Sequence, residues 1–214
     1  MSTTSGGLNI VTNGLVLYLD AANSNSYVSG SIRWNDISKT QTSGSLINGP
    51  TFNPANGGGI TFDGVDDDCN INYSTNSVDM TIETTLKVIS LPSTKVFVGK
   101  YAGANWWFGA SSGNFNFSID GSQISGGAIT LNRTYTVHCV NGSINKSIYV
   151  DGNLINSSAK TTNAATGNIH IGQFGDFGGF NSNIIVYNFK LYNRELSAAE
   201  IKQNYNTTKT RFGL

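Results

Sequence analysis

From residue 14 onward the chain alternates short apolar runs with Gly, Asn and Asp turns. Gly14–Asp20 is apolar on both faces, as an inner sandwich strand is. Ile60–Gly64 alternates and then turns, and Met80–Val88 puts Ile82, Leu86 and Val88 on one parity. A period of two marks a strand with one face toward a core. Val96–Val98, Trp106–Phe108, Phe115–Ile119, Tyr135–Val140, Ser147–Val150, Ile169–Gly172 and Ile184–Tyr192 continue the series. Asp120-Gly121 ends one strand, and Asp151-Gly152-Asn153 reverses the chain into Leu154-Ile155. Such dipeptides supply the positive φ of tight hairpins. About twelve short strands with Gly/Asn turns predict an all-β sandwich or jelly roll.

One segment breaks the period. Ser197-Ala198-Ala199-Glu200 is a capping box, in which Ser and Glu satisfy the first free amides of a helix. Ile201 and Tyr205, four apart, can pack on the sandwich from one helical face. The helix is expected to fade near Asn206–Thr208. The organisation predicted is a flexible or docking arm at 1–13, one domain at 14–207, and a tail at 208–214.

Composition sharpens this picture. Asn, Ser, Thr and Gly make up 97 of 214 residues, charged residues are 12%, and net charge is zero. The uncharged polar surface removes the electrostatic drive for nucleic-acid binding. The cations Lys202, Lys209 and Arg211 fit a solvated helix and tail. No apolar run approaches the roughly 20 residues of a membrane helix, and no positive n-region precedes Arg33. Two cysteines, Cys69 and Cys139, are too few for a disulfide scaffold and fit small buried thiols.

Several segments together resemble a known family. They are Gly14–Ala21, Trp34–Ser38, Phe62–Asp67, Ile148–Asn153, Ile169–Gly172 and Leu191–Ile201. Their order resembles the laminin-G-like, concanavalin A-like domains, from about Gly14 to Tyr205. The resemblance implies a two-sheet antiparallel jelly-roll sandwich with one short C-terminal helix. The closing Gln203–Asn206 through Arg211–Leu214 is similar to the end of such domains in structural proteins of tailed bacteriophages. That similarity implies a non-enzymatic virion protein on the particle exterior, as a capsid decoration protein or a fibre or tail component. Capsid or tail proteins and further copies of the chain are then its partners. The alternative is a carbohydrate-binding adhesin for host surface glycans.

Catalysis is the least favoured reading. Glucanases of this sandwich class carry a Glu-x-Asp-x-x-Glu strand, because cleavage needs an acid and a nucleophile or base across one sugar bond. Neither Glu83, Glu195 nor Glu200 begins that pattern. Glu83, followed by Thr84 and Thr85, is expected to face solvent on an edge-like strand. His138 and His170 lie inside strand runs without a nucleophile elbow.

Three features are candidates for binding. Asp63, Asp66 and Asp67 share one loop, where oxygen donors can converge on calcium, and some relatives hold calcium at a sandwich rim. The same aspartates suit a turn closed by side-chain-to-backbone bonds; Asp68 is expected to point outward. Trp106 and Trp107 must face opposite sides of one strand, so at most one enters the core with that parity and the other needs a helix, a second sheet, a subunit contact or a ligand such as a sugar against it. Phe174, Phe177 and Phe180, spaced among glycines, read either as a contact surface or as a loop folded over the sandwich edge.

Overall fold

The computed structural model describes residues 9–73, 78–101, 105–162, 165–175 and 180–214. The strands are β1 (Leu15–Asp20), β2 (Arg33–Trp34), β3 (Gly44–Ile47), β4 (Thr51–Asn53), β5 (Gly59–Asp63), β6 (Asp68–Ile71), β7 (Met80–Val88) and β8 (Lys95–Tyr101). They continue as β9 (Asn105–Ser111), β10 (Asn114–Ile119), β11 (Ser122–Ala128), β12 (Thr134–Asn141), β13 (Asn145–Val150), β14 (Asn153–Ala159), β15 (Ile169–Ile171) and β16 (Asn183–Tyr192). Helix α1 (Ala198–Thr208) follows, and a 3-10 turn at Lys209–Phe212 closes the chain.

Two antiparallel sheets face each other. Sheet A runs β14-β13-β12-β7-β16-β5-β4, and β1 joins it on β16 beside β5. The ten-residue β16 carries both: Asn183–Val186 pair β5, and Asn188–Tyr192 pair β1. Sheet B runs β11-β10-β9-β8-β15-β6-β3-β2. The core between them takes alternate residues from every long strand, including Ile82, Leu86, Phe97, Phe108, Phe115, Phe117, Ile148, Val186 and Phe189. At roughly 1.5–3 kcal/mol for each fully buried large apolar side chain, this alternation dominates the stability. Both cysteines are free and buried, and burial pushes both thiols up.

The capping box forms as predicted, with the Ser197 hydroxyl accepting from Glu200 N and the Glu200 carboxylate accepting from Ser197 N. Arg194 lays its guanidinium on the same carboxylate at 2.6 Å. This pair holds Glu200 down at about 2, against a smaller opposing effect of burial. The last residues are not the solvated tail the sequence suggests. Phe212 is buried against Ile185 and Tyr187. Arg211 bonds Asp20 Oδ1 at 2.8 Å and the carbonyls of Asn56 and Gly58. A run of Asn, Thr and Lys hides this clamp from a hydropathy reading.

Residues 9–13 lie along α1 by their backbone. Val11 N donates to Asn204 Oδ1 at 2.8 Å, and Val11 O accepts from the Tyr192 hydroxyl at 3.0 Å. Gln203 and Arg194 donate to the carbonyls of Asn9 and Asn13. The Val11 side chain packs with Val140, Tyr192, Leu196 and Ile201.

Candidate functional site: the outer face of sheet B

Register across sheet B sorts its side chains into rows. One row runs Ile124, Phe117, Phe108, Val98, Ile171, Cys69, Leu46. All of these are buried in the core. The next row must point the other way. It reads Gln123, Ser118, Trp107, Gly99, His170, Asn70, Ser45, Arg33, one residue from each of the eight strands. This row is therefore polar around one indole, with Arg33 as a cation at its far edge.

Trp107 sits between Gly99 and Ser118, small neighbours that leave its ring standing half-buried. Trp106, its partner in the sequence, faces inward and is buried in the core beside Ile119 and Lys100. The contact role expected of Trp106 is therefore not available; strand parity gives it to the core. Phe174 is buried as well, because it folds back over the sheet. A Cβ on Gly99 would stand 2.7 Å from the Phe174 ring, so the missing side chain is what seats it. Tyr101 meets Phe174 edge-on at 5.0 Å, and half-buried Phe180 lies 6.3 Å from Phe174. Of the three phenylalanines, Phe174 is the fold-over anchor, Phe180 lies beside it, and Phe177 falls outside the described residues. Tyr101, 43% exposed, is an open aromatic that periodicity did not single out; its parity with Gly99 is the signal that places it.

Polar partners order this face. Gln123 Nε2 donates to Asn116 Oδ1 at 2.6 Å, and Asn168 Nδ2 donates to Asn70 Oδ1 at 2.8 Å. His170 Nδ1 lies 3.0 Å from Asp68 Oδ2. Asp68, expected to point outward into water, is instead buried in this pair, with Oδ1 unpartnered among the described residues. The carboxylate fixes the imidazole tautomer. The cross-strand neighbours of His170 are Gly99 and Asn70, which offer no nucleophile.

The acidic loop lies beside the start of β6. Carboxylate oxygens of Asp63, Asp66 and Asp67 lie within 4.8 Å of one another. Burial, together with the charges of Asp63 and Asp66, raises Asp67 against the lowering effect of its bond from Asp63 N. A hard divalent cation suits such a donor set. Two of the oxygens already close the turn, accepting from Asp63 N at 2.8 Å and Val65 N at 2.7 Å. These two bonds form the side-chain-closed turn that the sequence suggests.

The outer face of sheet A carries the opposite chemistry. Tyr18, Lys190, Glu83, His138 and Tyr149 form its cross-strand row. Glu83 is fully buried on a central strand, not exposed on an edge. Its oxygens accept from Lys190 Nζ at 2.6 Å and Asn204 Nδ2 at 2.7 Å, and His138 Nε2 stands 3.4 Å away. Burial pushes the Glu83 carboxyl up, but Lys190 and His138 outweigh it and hold the group well below the usual range. It is an ionised acceptor sealed under α1, without access for a substrate. The flanking threonines, which suggested solvent, are themselves buried. The signal lay elsewhere, in Lys190 and His138, ionisable residues inside otherwise apolar strands.

Two facing antiparallel sheets with this strand order, closed by one short C-terminal helix, define a concanavalin A-like jelly-roll sandwich. The chain belongs to the family Laminin_G_3, of the Concanavalin A-like lectin/glucanases superfamily, which matches residues 54–202. No curated protein sequence matches the chain. Among solved structures it is similar to a Trypanosoma rangeli sialidase in complex with 2,3-difluoro-KDN. The TM-score is 0.77 and the identity 21%, over 98% of this chain and 35% of that one. It is also similar to the binding domain of Paraclostridial Mosquitocidal Protein 1, with TM-score 0.73 and 16% identity over 91% of this chain and 52% of that one. The receptor binding domain of botulinum neurotoxin type G gives TM-score 0.71 and 13% identity, over 90% and 51%. The chain spans about a third to a half of the length of these proteins, and at such identities they share its fold.

Proposed function

We propose that this chain is a non-enzymatic glycan-binding module that takes a sugar chain across the outer face of sheet B. The row Gln123–Ser118–Trp107–Gly99–His170–Asn70–Ser45–Arg33 carries the reading. A half-open indole offers a flat apolar surface to a sugar ring. The exposed Gln123 and Ser45 and the half-buried Asn70 of the same row supply donors and acceptors for its edge. Toxin binding domains among the structures of similar fold support a recognition role. The single carboxylate that the strands of this face contribute is Asp68, paired with His170. Cleavage by a carboxylate pair needs a second one about 5–9.5 Å away, so binding without turnover is the reading this face favours. Glycan-array binding followed by calorimetry on Trp107→Ala tests it. Loss of affinity in the variant supports it, whereas unchanged affinity or reducing-end release from a bound polysaccharide sinks it.

A second reading concerns where the module is displayed. The similarity of Gln203–Leu214 to structural proteins of tailed bacteriophages favours the exterior of a virion, as a decoration, fibre or tail component held by capsid or tail proteins or by further copies of itself. Immunogold labelling of intact particles decides it, since an absence of label removes the reading. Calcium at Asp63, Asp66 and Asp67 belongs to the same proposal. Melting in calcium against chelator is expected to differ for the native chain and to coincide for Asp66→Asn.

A further inference from the structure

We propose a second ligand site, a pocket for one neutral sugar residue at the far edge of the sandwich. It is an open-mouthed depression of about 530 Å3 between the β1–β2 connection and the β3–β4 turn, within the usual 300–1,000 Å3 of small-molecule sites. The pocket shares a ligand class with the reading above but stands on different residues. From β3 to β9 the sheet takes four strand steps, about 19 Å at the usual spacing of about 4.8 Å.

Its walls are built, not left over. Ser26 pins the first connection, accepting from Asp20 N at 3.0 Å and donating to Asn35 O at 2.6 Å. Tyr27 follows directly and stacks on Phe52 of β4, with centroids 5.6 Å apart and planes at 26°. Leu46 N donates to Ile32 O at 2.8 Å and ties the connection to β3. On the opposite side Asn48 (φ 65°) and Gly49 (φ 101°) turn the chain. The Asn48 amide donates to Asp66 O at 2.9 Å, which holds that rim in place.

The chemistry of the lining selects the ligand. Tyr27 is 5% exposed and lines the pocket, yet its hydroxyl bonds no described residue. Ser29 Oγ and Thr51 Oγ1, also in the lining, are equally without a described partner. The lining thus joins the buried Tyr27 hydroxyl to two exposed hydroxyl residues, Ser29 and Thr51, around an aromatic floor. None of the eleven lining residues is charged. A carboxylated or phosphorylated ligand would lose its hydration without gaining a cation. A wholly apolar ligand would bury the hydroxyls unpaired, at about 1–3 kcal/mol each. A neutral pyranose, with one apolar face and a hydroxyl rim, satisfies both floor and edge. Space for it remains above Gly49, where an added Cβ would meet nothing within 4 Å.

The test uses the intact chain with glucose, galactose, mannose and N-acetylglucosamine, with sialic acid as the charged control. Saturation-transfer NMR and calorimetry read binding. Thr51→Trp, at an exposed rim position, fills the pocket; Tyr27→Phe removes one hydroxyl; Trp107→Ala leaves the pocket whole. At the pocket, one neutral monosaccharide is expected to bind the native chain and Trp107→Ala alike, about tenfold more weakly to Tyr27→Phe, and not to Thr51→Trp, whereas the polysaccharide affinity that rests on Trp107 survives Thr51→Trp. A native melting curve for Thr51→Trp confirms that the loss is local. Monosaccharide binding that survives Thr51→Trp and vanishes in Trp107→Ala overturns the pocket and spares the sheet B reading. Monosaccharide binding lost only in Thr51→Trp supports the pocket whatever becomes of sheet B. Absence of any neutral-sugar response, or a response to sialic acid alone, overturns it.

Discussion

On sheet A the outward row Tyr18–Lys190–Glu83–His138 lies beneath α1, whose Asn204 bonds both Glu83 and Val11. On sheet B no helix among the described residues lies above the corresponding row, and Phe174 folds across it at Gly99. Both rows come from the same two-residue period, and both point away from the core. Sheet A places an ion pair where water is excluded; sheet B places an indole and amides where water has access. An outward position is thus not an exposed position, and the charge of a residue does not say which it will be. What lies above the strand decides, and here that is a helix more than a hundred residues after Glu83 in the chain.

The largest effect expected from this difference is on stability. Glu83→Ala strands the Lys190 ammonium in a sealed site and should lower unfolding free energy by about 3–5 kcal/mol in urea titrations. Glu83→Leu with Lys190→Leu should recover much of that loss, since paired apolar replacements of buried ions are often neutral. A small loss in Glu83→Ala would mean that the row is wetter than its burial shows. On sheet B the mirror experiment is Trp107→Ala, which should weaken glycan binding about tenfold or more while costing about 1 kcal/mol or less of stability. Tenfold corresponds to about 1.4 kcal/mol. A collapse of stability instead would make Trp107 part of the core and erase the contrast.

Titration sharpens the comparison further. Lys100 of sheet B points inward beside Trp106, and burial lowers it from 10.5 to about 8. The unfolded chain therefore keeps a proton between about 8 and 10.5 that the folded chain has released, so this group's contribution to stability rises with pH across that window. Stability curves for the native chain and Lys100→Met should converge toward the alkaline end; parallel curves would remove the effect. Glu200 has the opposite sign. Its folded value of about 2 lies below the ordinary 4.5, so its contribution is complete above 4.5 and is lost as pH falls toward 2. Ser197→Ala, which removes the hydroxyl of the same cap, should cost about 1 kcal/mol by denaturant unfolding.

Much of this architecture was legible from alternation alone. Strand positions, the capped helix, the buried thiols and the opposed indoles follow from period and parity, which are local. Glu83, Asp68 and Arg211 were misplaced because their partners Lys190, His170 and Asp20 are about 100 to 190 residues away. No local pattern distinguishes a carboxylate that meets water from one that meets a distant cation. The pocket beside Tyr27 was equally silent, since it is made by two connections that only the closed sandwich brings together.

The backbone grip on Val11 and the seating of Phe212 bring residues 9–13 and 198–214 to the same side of the sandwich. Both ends of the described chain therefore leave from behind sheet A. Residues 9–13 and 198–214 thus lie at the back of the module, like a handle behind a mirror. The surface bearing Trp107 is turned away from both segments, so contacts made through them and contacts made through Trp107 do not compete for the same face.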